Sequence, residues 1–449
     1  VSVPADHGLN SLALLMQLGG SLGMAAAAAV AIPAALYGGR QSSVIFFFAL
    51  LYGVRAAFHR VAGSAVLYGT GGHPRRSVIT YLCVAACHSA VTLLLLRRYV
   101  DDALLLRIAA LLLAWPGVLL ACVSLPRPGR LLARAVPPAE DYGFESAAVL
   151  MTVLGSAGLA CAVLLLAVLL EIPGLPGLPA SDSAGLARLL ALAACGLCLL
   201  RAVVHLRAGV HGATGAGFDA HQTRAVRYGT VGSATATGVA LLLAAAIAVS
   251  TGNLAFVLIA GICAREVLGA WPAILRRLHG ERSFDVYLAG DRAPVFRRAP
   301  DAGLMALGWL LVAMGAPALT QALVVVPAGM EAAWPVDLGM VSLGHGWRTL
   351  LVAGLQVWAG VALLRMSAHA RRLAAVYAMV AVGLALSSAT FALVDAFALG
   401  MAGTDDGVQS LILLARIVGA GIELAVPCAA LWLVERTALP RAVALTGGR

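Results

Sequence analysis

Lysine is absent from this chain of 449 residues, so all 31 basic side chains are arginine. Charge of either sign is scarce: charged residues make up 12% and hydrophobic ones 61%, where a soluble protein has roughly a quarter charged. A soluble fold is excluded by that balance, and no stretch of domain size is left over between the apolar runs. Also missing are a P-loop, a glycine-rich dinucleotide fingerprint, the His-Glu-x-x-His zinc motif and the Gly-x-Ser-x-Gly nucleophile motif. No residue is therefore singled out as catalytic, and soluble-type enzyme chemistry is disfavoured. The start of the chain, VSVPADHGLN, lacks the basic region of a cleaved signal, so the first apolar run is expected to stay as a membrane helix. The eight cysteines fall almost wholly inside apolar runs, where a free thiol behaves as a small hydrophobe.

What is present is length. Apolar runs of about 20 residues or more, enough for a helix to cross about 30 Å of hydrocarbon, predict twelve spans: 9–37, 42–69, 76–98, 103–125, 145–171, 185–212, 222–250, 253–276, 302–328, 341–366, 370–400 and 410–436. The class expected is an all-α integral membrane protein in contact with the lipid bilayer. The runs are too long and too uniformly apolar for barrel strands. A net charge of +10 would point a soluble chain towards nucleic acid. Here the arginines cluster in short loops as topology signals do, so no nucleic-acid partner is expected. Loops after even-numbered spans carry them (Arg75 and Arg76, Arg127 to Arg134, Arg224 and Arg227, Arg276 to Arg298, Arg371 and Arg372). By the positive-inside rule those loops and both termini are cytoplasmic, and the expected location is a bacterial cytoplasmic (inner) membrane.

The stretches GGHPRRSVITY, DAHQTRAVRY and SAHARRLAAVY place His73, His221 and His369 at a constant step of 148 residues, each followed by Arg at the third position. This predicts three tandem four-helix repeats at 1–125, 145–276 and 302–449, joined by cytoplasmic linkers 126–144 and 277–301. Span 2 carries Arg55 and His59 in RAAFH, and span 6 carries Arg201 and His205 in RAVVH; span 10 has Arg348 without the histidine. The fourth spans carry Arg107, Arg265 and Arg416, each followed by a proline, Pro116, Pro272 and Pro427. The recurring His-x-x-Arg reads as a marker of helix borders.

Ionisable side chains at membrane depth are candidates for function. His59 and His88, on neighbouring antiparallel spans, are expected at similar depth, and two imidazoles so placed suit b-type haem ligation. His205 is named because it repeats His59. Arg55 and Arg201 are expected to pair with anionic groups such as haem propionates or lipid phosphates. The alternative for all of these is packing, snorkelling or hydrogen bonding between helices. Glu266, Asp395 and Glu423 are read as neutralising nearby arginines.

Twelve spans in three four-helix units with both ends cytoplasmic resemble the catalytic subunit of haem–copper oxidases and the related nitric-oxide-response membrane proteins. In that family, histidines on the second, sixth, seventh and tenth helices hold haem and copper. His59, His205, His221 and His345 fall in comparable elements, but span 10 lacks the paired His-x-His and span 7 the adjacent pair. The resemblance implies a divergent, oxidase-like subunit that binds haem or serves an electron-transfer complex. The alternatives are a transporter or channel for an anionic or lipidic substrate, and a scaffold docking other subunits through loops 126–144 and 276–301.

Overall fold

The computed structural model describes residues 9–37, 39–68, 73–124, 144–171, 182–214, 218–288, 300–325, 346–365, 367–402 and 407–436. Among these the chain is all helix, with twelve helices and no strand. They are α1 (Leu9–Tyr37), α2 (Arg40–Tyr68), α3 (Pro74–Leu96), α4 (Asp102–Ser124), α5 (Phe144–Glu171), α6 (Asp182–Thr214), α7 (Phe218–Thr251), α8 (Leu254–Leu288), α9 (Pro300–Val325), α10 (Gly346–Leu364), α11 (Ala370–Ala402) and α12 (Gly407–Arg436). Ten of them are long and apolar enough to cross a membrane among the described residues, and α10 contributes a shorter apolar stretch, Thr349–Leu364. Large apolar side chains such as Leu94, Leu189 and Leu241 point outward at more than 60% exposure, the surface that a lipid solvent rather than water requires.

Most helix bounds match the apolar runs within a few residues. α8 departs from expectation: it continues to Leu288, twelve residues into the stretch taken as a linker. Nothing in RRLHGERSFDVYL stops it, since its only glycine is tolerated inside a helix and it has no proline. The remainder of that linker, 289–299, and nearly all of 126–144 lie outside the described residues.

Consecutive helices pack pairwise within α1–α4, α5–α8 and α9–α12. Between these groups, α1 packs on α8, α5 on α12 and α9 on α4, while α1, α5 and α9 also meet one another. Small residues allow the closest approaches, as expected where lipid gives no hydrophobic drive for helix association. A Cβ at Gly63 on α2 would stand 2.7 Å from the Ala13 carbonyl oxygen of α1. One at Gly209 on α6 would stand 2.5 Å from the Thr152 nitrogen of α5. At the meeting of α1 and α5 the hydroxyls of Ser11 and Ser146 share a buried hydrogen bond of 2.7 Å.

The His-x-x-Arg border is visible where it is described. His73 precedes α3 with extended backbone and its carbonyl accepts from the Ser77 amide; the His369 carbonyl accepts from the Leu373 amide. His73 makes no side-chain cap, so the motif acts through backbone and the Pro74 that follows it. The side chain of His221 is outside the described residues.

Candidate functional site

Two polar clusters recur in the apolar interior. In the first, the indole Nε1 of Trp115 on α4 donates to Nε2 of His59 on α2 at 2.7 Å, and the imidazole stacks on Tyr81 of α3 with centroids 4.6 Å apart and planes 22° apart. In the second, Trp271 Nε1 of α8 donates to His205 Nε2 of α6 at 2.8 Å, and the ring stacks on Tyr228 of α7 at 4.3 Å and 7°. An indole N–H can only donate, so Nε2 of each histidine is the acceptor and the imidazole's own proton sits on Nδ1. Both histidines are buried.

The arginine one turn earlier completes each cluster. Proline has no amide hydrogen, so the carbonyl four residues before it loses its helical partner. For Pro116 that carbonyl belongs to Leu112, and for Pro272 to Leu268. Arg55 Nη2 donates to the Leu112 carbonyl at 2.7 Å, and Arg201 Nη2 donates to that of Leu268. Each guanidinium therefore satisfies the backbone group that a proline has freed, a requirement of the hydrocarbon interior. The other fork differs: Arg201 Nη1 donates to the Gly232 carbonyl at 3.1 Å, while Arg55 Nη1 meets Nδ1 of His88 at 3.2 Å and Ser89 Oγ at 3.5 Å. His88 is thus partnered through Arg55, one turn before His59.

Within the bundle Arg55 and Arg201 hydrogen-bond to backbone carbonyls and, for Arg55, to neutral side chains. Tyr81, Tyr228, Trp115 and Trp271 were not singled out in the sequence. Their signal was there: each quoted His-x-x-Arg stretch ends in a tyrosine, and Trp-Pro occurs at 115–116 and again at 271–272. Arg265 and Glu266 form an ion pair, but the side chains are 60% and 49% exposed, so this is not a buried neutralisation.

Two cavities carry these residues or adjoin them. One of about 450 Å³ is bounded by His59, Arg55, Tyr81, Trp115, Tyr52 and leucines of α1 and α4; His88 is not part of its wall. A second, of about 470 Å³, lies between α1, α2, α7 and α8 and gathers Arg60, Arg265, Arg276 and Arg277 against one acid, Glu266. Arg265 and Arg276 are eleven residues apart, about three turns and about 16 Å along one face of α8. Small residues between them, Gly269 and Ala273, leave the cavity its space. Gln17 lines it from α1, and its buried side-chain amide nitrogen has no hydrogen-bond partner among the described residues. The Arg277 guanidinium also lies 4.5 Å over the Tyr68 ring.

Ten apolar helices of spanning length among the described residues, lipid-type surfaces and polar clusters hydrogen-bonded between helices define a multi-pass helical membrane protein. No protein-family model matches the chain, and no curated protein or solved structure is detectably similar to it.

Proposed function

We propose that this chain is a membrane carrier for an anionic amphiphile, bound through a phosphate-type headgroup in the cleft between α1, α2, α7 and α8. The observation that carries the reading is the convergence of four arginines and one glutamate on a single cavity. The guanidinium fork suits phosphate and carboxylate oxygens, and a cationic ladder along α8 offers such a headgroup successive positions. The free donor of Gln17 adds a neutral contact. In this reading the chain is three tandem four-helix repeats with both termini cytoplasmic, which puts Arg276 and Arg277 at the cytoplasmic mouth. The arrangement α1 on α8, α5 on α12 and α9 on α4 supports that repeat organisation. The test is retention of phosphatidylglycerol from mixed micelles with phosphatidylcholine, followed by native mass spectrometry. The wild type is expected to retain the anionic lipid selectively, and the double variant Arg60→Gln, Arg265→Gln to lose that selectivity; equal retention by both sinks the proposal.

A second reading, an oxidase-like subunit binding b-type haem, is supported by the cavity of about 450 Å³ that His59 and Arg55 line. The residues fit it in part. His59 borders the space, but its Nε2 already takes the Trp115 indole, its face is covered by Tyr81, and His88 stands outside the wall. When bound, haem would supply electron transfer. A visible spectrum of protein purified after expression with added haem precursor decides this reading: no Soret band at full protein loading removes it.

A further inference from the structure

The two polar clusters differ at one position on the helix that packs beside the histidine. A Cβ added at Gly20 of α1 would stand 2.6 Å from the Arg60 nitrogen, and one at Gly155 of α5 would stand 2.7 Å from the Leu206 nitrogen. Arg60 and Leu206 each follow the histidine of their cluster. In the same way Gly23 faces the Cβ of Ala56 at 2.9 Å, and Gly158 faces that of Ala202 at 3.5 Å. α5 therefore repeats α1 at a step of 135 residues, Gly20 to Gly155 and Gly23 to Gly158, and by that step Gly19 corresponds to Leu154. The leucine packs against the core of the second group; the first group has no side chain at that place.

The missing side chain leaves room beside an unused donor. A Cβ at Gly19 would stand 3.3 Å from Cε1 and 3.6 Å from Nδ1 of His59, and both residues line the cavity of about 450 Å³. The Trp115 indole occupies Nε2 of this histidine and Tyr81 covers one face of its ring. Nδ1 carries the proton and has no acceptor among the described residues, although His59 is only 9% exposed. The wall also includes Arg55, and no carboxylate pairs with it among the described residues, where the ion pairs are Arg265 with Glu266 and Arg371 with Glu435. Everything else in the wall is aliphatic or aromatic. Tyr52 and Leu111, 39% and 44% exposed, carry its rim to the lipid-facing surface.

We infer that this cavity is a binding site for a fatty acid of medium chain length, which enters from the bilayer and accepts a hydrogen bond from Nδ1 of His59 through its carboxylate. Three features select that chemistry. A buried N–H without an acceptor is costly, so the ligand is one that brings an acceptor. Buried charges are stable when paired, and a carboxylate gives the Arg55 guanidinium the counter-charge that no neighbouring side chain supplies. The leucines of α1 and α4 suit an alkyl tail. The space is ample: it is about three times the roughly 150 Å³ that takes up the six carbons of benzene, so a chain of about twelve carbons fits. The site shares no arginine with the cleft between α1, α2, α7 and α8 and does not rest on the reading of that cleft.

The full chain in dodecyl maltoside micelles, titrated with laurate and separately with methyl laurate and read by native mass spectrometry, tests the inference. Saturable binding of one laurate per chain is expected, with the ester at least tenfold weaker because it brings no charge. Gly19→Leu restores the side chain that the second group carries and should weaken laurate at least tenfold while the helical circular dichroism stays unchanged. If that variant does not fold, Gly19→Ala sets a methyl 3.6 Å from Nδ1 and is read the same way. The double variant Arg60→Gln, Arg265→Gln should bind laurate as the wild type does; loss of binding there would assign the laurate to the arginine cleft and overturn the inference. Laurate uptake that never saturates, equal affinity for the ester, or affinity unchanged by filling the glycine position also overturns it.

Discussion

Arg55 on α2 donates to the carbonyl of Leu112 on α4, the oxygen that Pro116 deprives of its helical amide. The same relation joins Arg201 to Leu268 ahead of Pro272. A charged side chain deep in a membrane protein here has a backbone duty, and that makes its energetic role separable from ligand binding.

The pair can be tested by a double-mutant cycle. Pro116→Ala returns an amide to the helix and gives the Leu112 carbonyl its own partner. Arg55→Ala should destabilise the wild type by about 1–3 kcal/mol, the usual penalty for a buried polar group left unsatisfied. In the Pro116→Ala background the loss should shrink by about 1 kcal/mol. The measurement is the unfolding free energy in mixed micelles, and strictly additive effects would show that the arginine serves another group.

Cutting the indole–imidazole bond should cost less than orphaning one partner. Trp271→Phe leaves His205 an unpaired acceptor and His205→Leu leaves the Trp271 N–H unpaired, so each should destabilise by about 1–3 kcal/mol. Together they should cost less than their sum, because the double replacement strands no polar atom. Thermal unfolding followed by tryptophan fluorescence for His205→Leu, and by circular dichroism where the tryptophan is removed, gives the comparison.

Close helix contact predicts a contrast between glycines. Gly209→Ala drives a methyl to 2.5 Å from the Thr152 backbone nitrogen, and overpacking of that kind costs about 1–3 kcal/mol. Gly196, on the same helix α6, has nothing within 4 Å of its added methyl. Gly196→Ala should leave the midpoint of thermal aggregation unchanged or raise it slightly, whereas Gly209→Ala should lower it by several degrees.

The arginine cleft should respond to salt. Arg60, Arg265 and Arg276 are exposed to the cavity, so retention of phosphatidylglycerol should weaken as ionic strength rises and screening shortens to about 3 Å near 1 M. The buried arginines Arg55 and Arg201 should be insensitive: Arg55→Gln should leave the salt dependence of lipid retention unchanged. A salt-independent retention would locate the lipid elsewhere.

The sequence disclosed most of the helices because apolar length is a local property. The spans around Leu9–Tyr37 and Phe144–Glu171 were readable to within a residue. RAAFH and RAVVH also led to Arg55, His59, Arg201 and His205, since ionisable residues stand out in hydrocarbon. What escaped was the company they keep. Tyr81 and Trp115 are ordinary residues for an apolar run, and only the packing of α2 against α3, and of α3 against α4, shows that they close around one imidazole. The bonds that Arg55 and Arg201 make to carbonyls freed by prolines on other helices have no local mark in the sequence. The cleft between α1, α2, α7 and α8 was invisible for the same reason: Arg60 of α2 joins Arg265, Arg276 and Arg277 of α8 only when helices far apart along the chain pack together.

The contacts α1 on α8, α9 on α4 and α5 on α12 also impose an order on biosynthesis. Each joins an earlier helix to one that leaves the ribosome later. α1 waits for α8, α4 waits for α9, and α5 keeps an open flank until α12, the last helix described, has entered the bilayer. A nascent chain halted after α8 would have seated α1 but left faces of both α4 and α5 without their later partners α9 and α12.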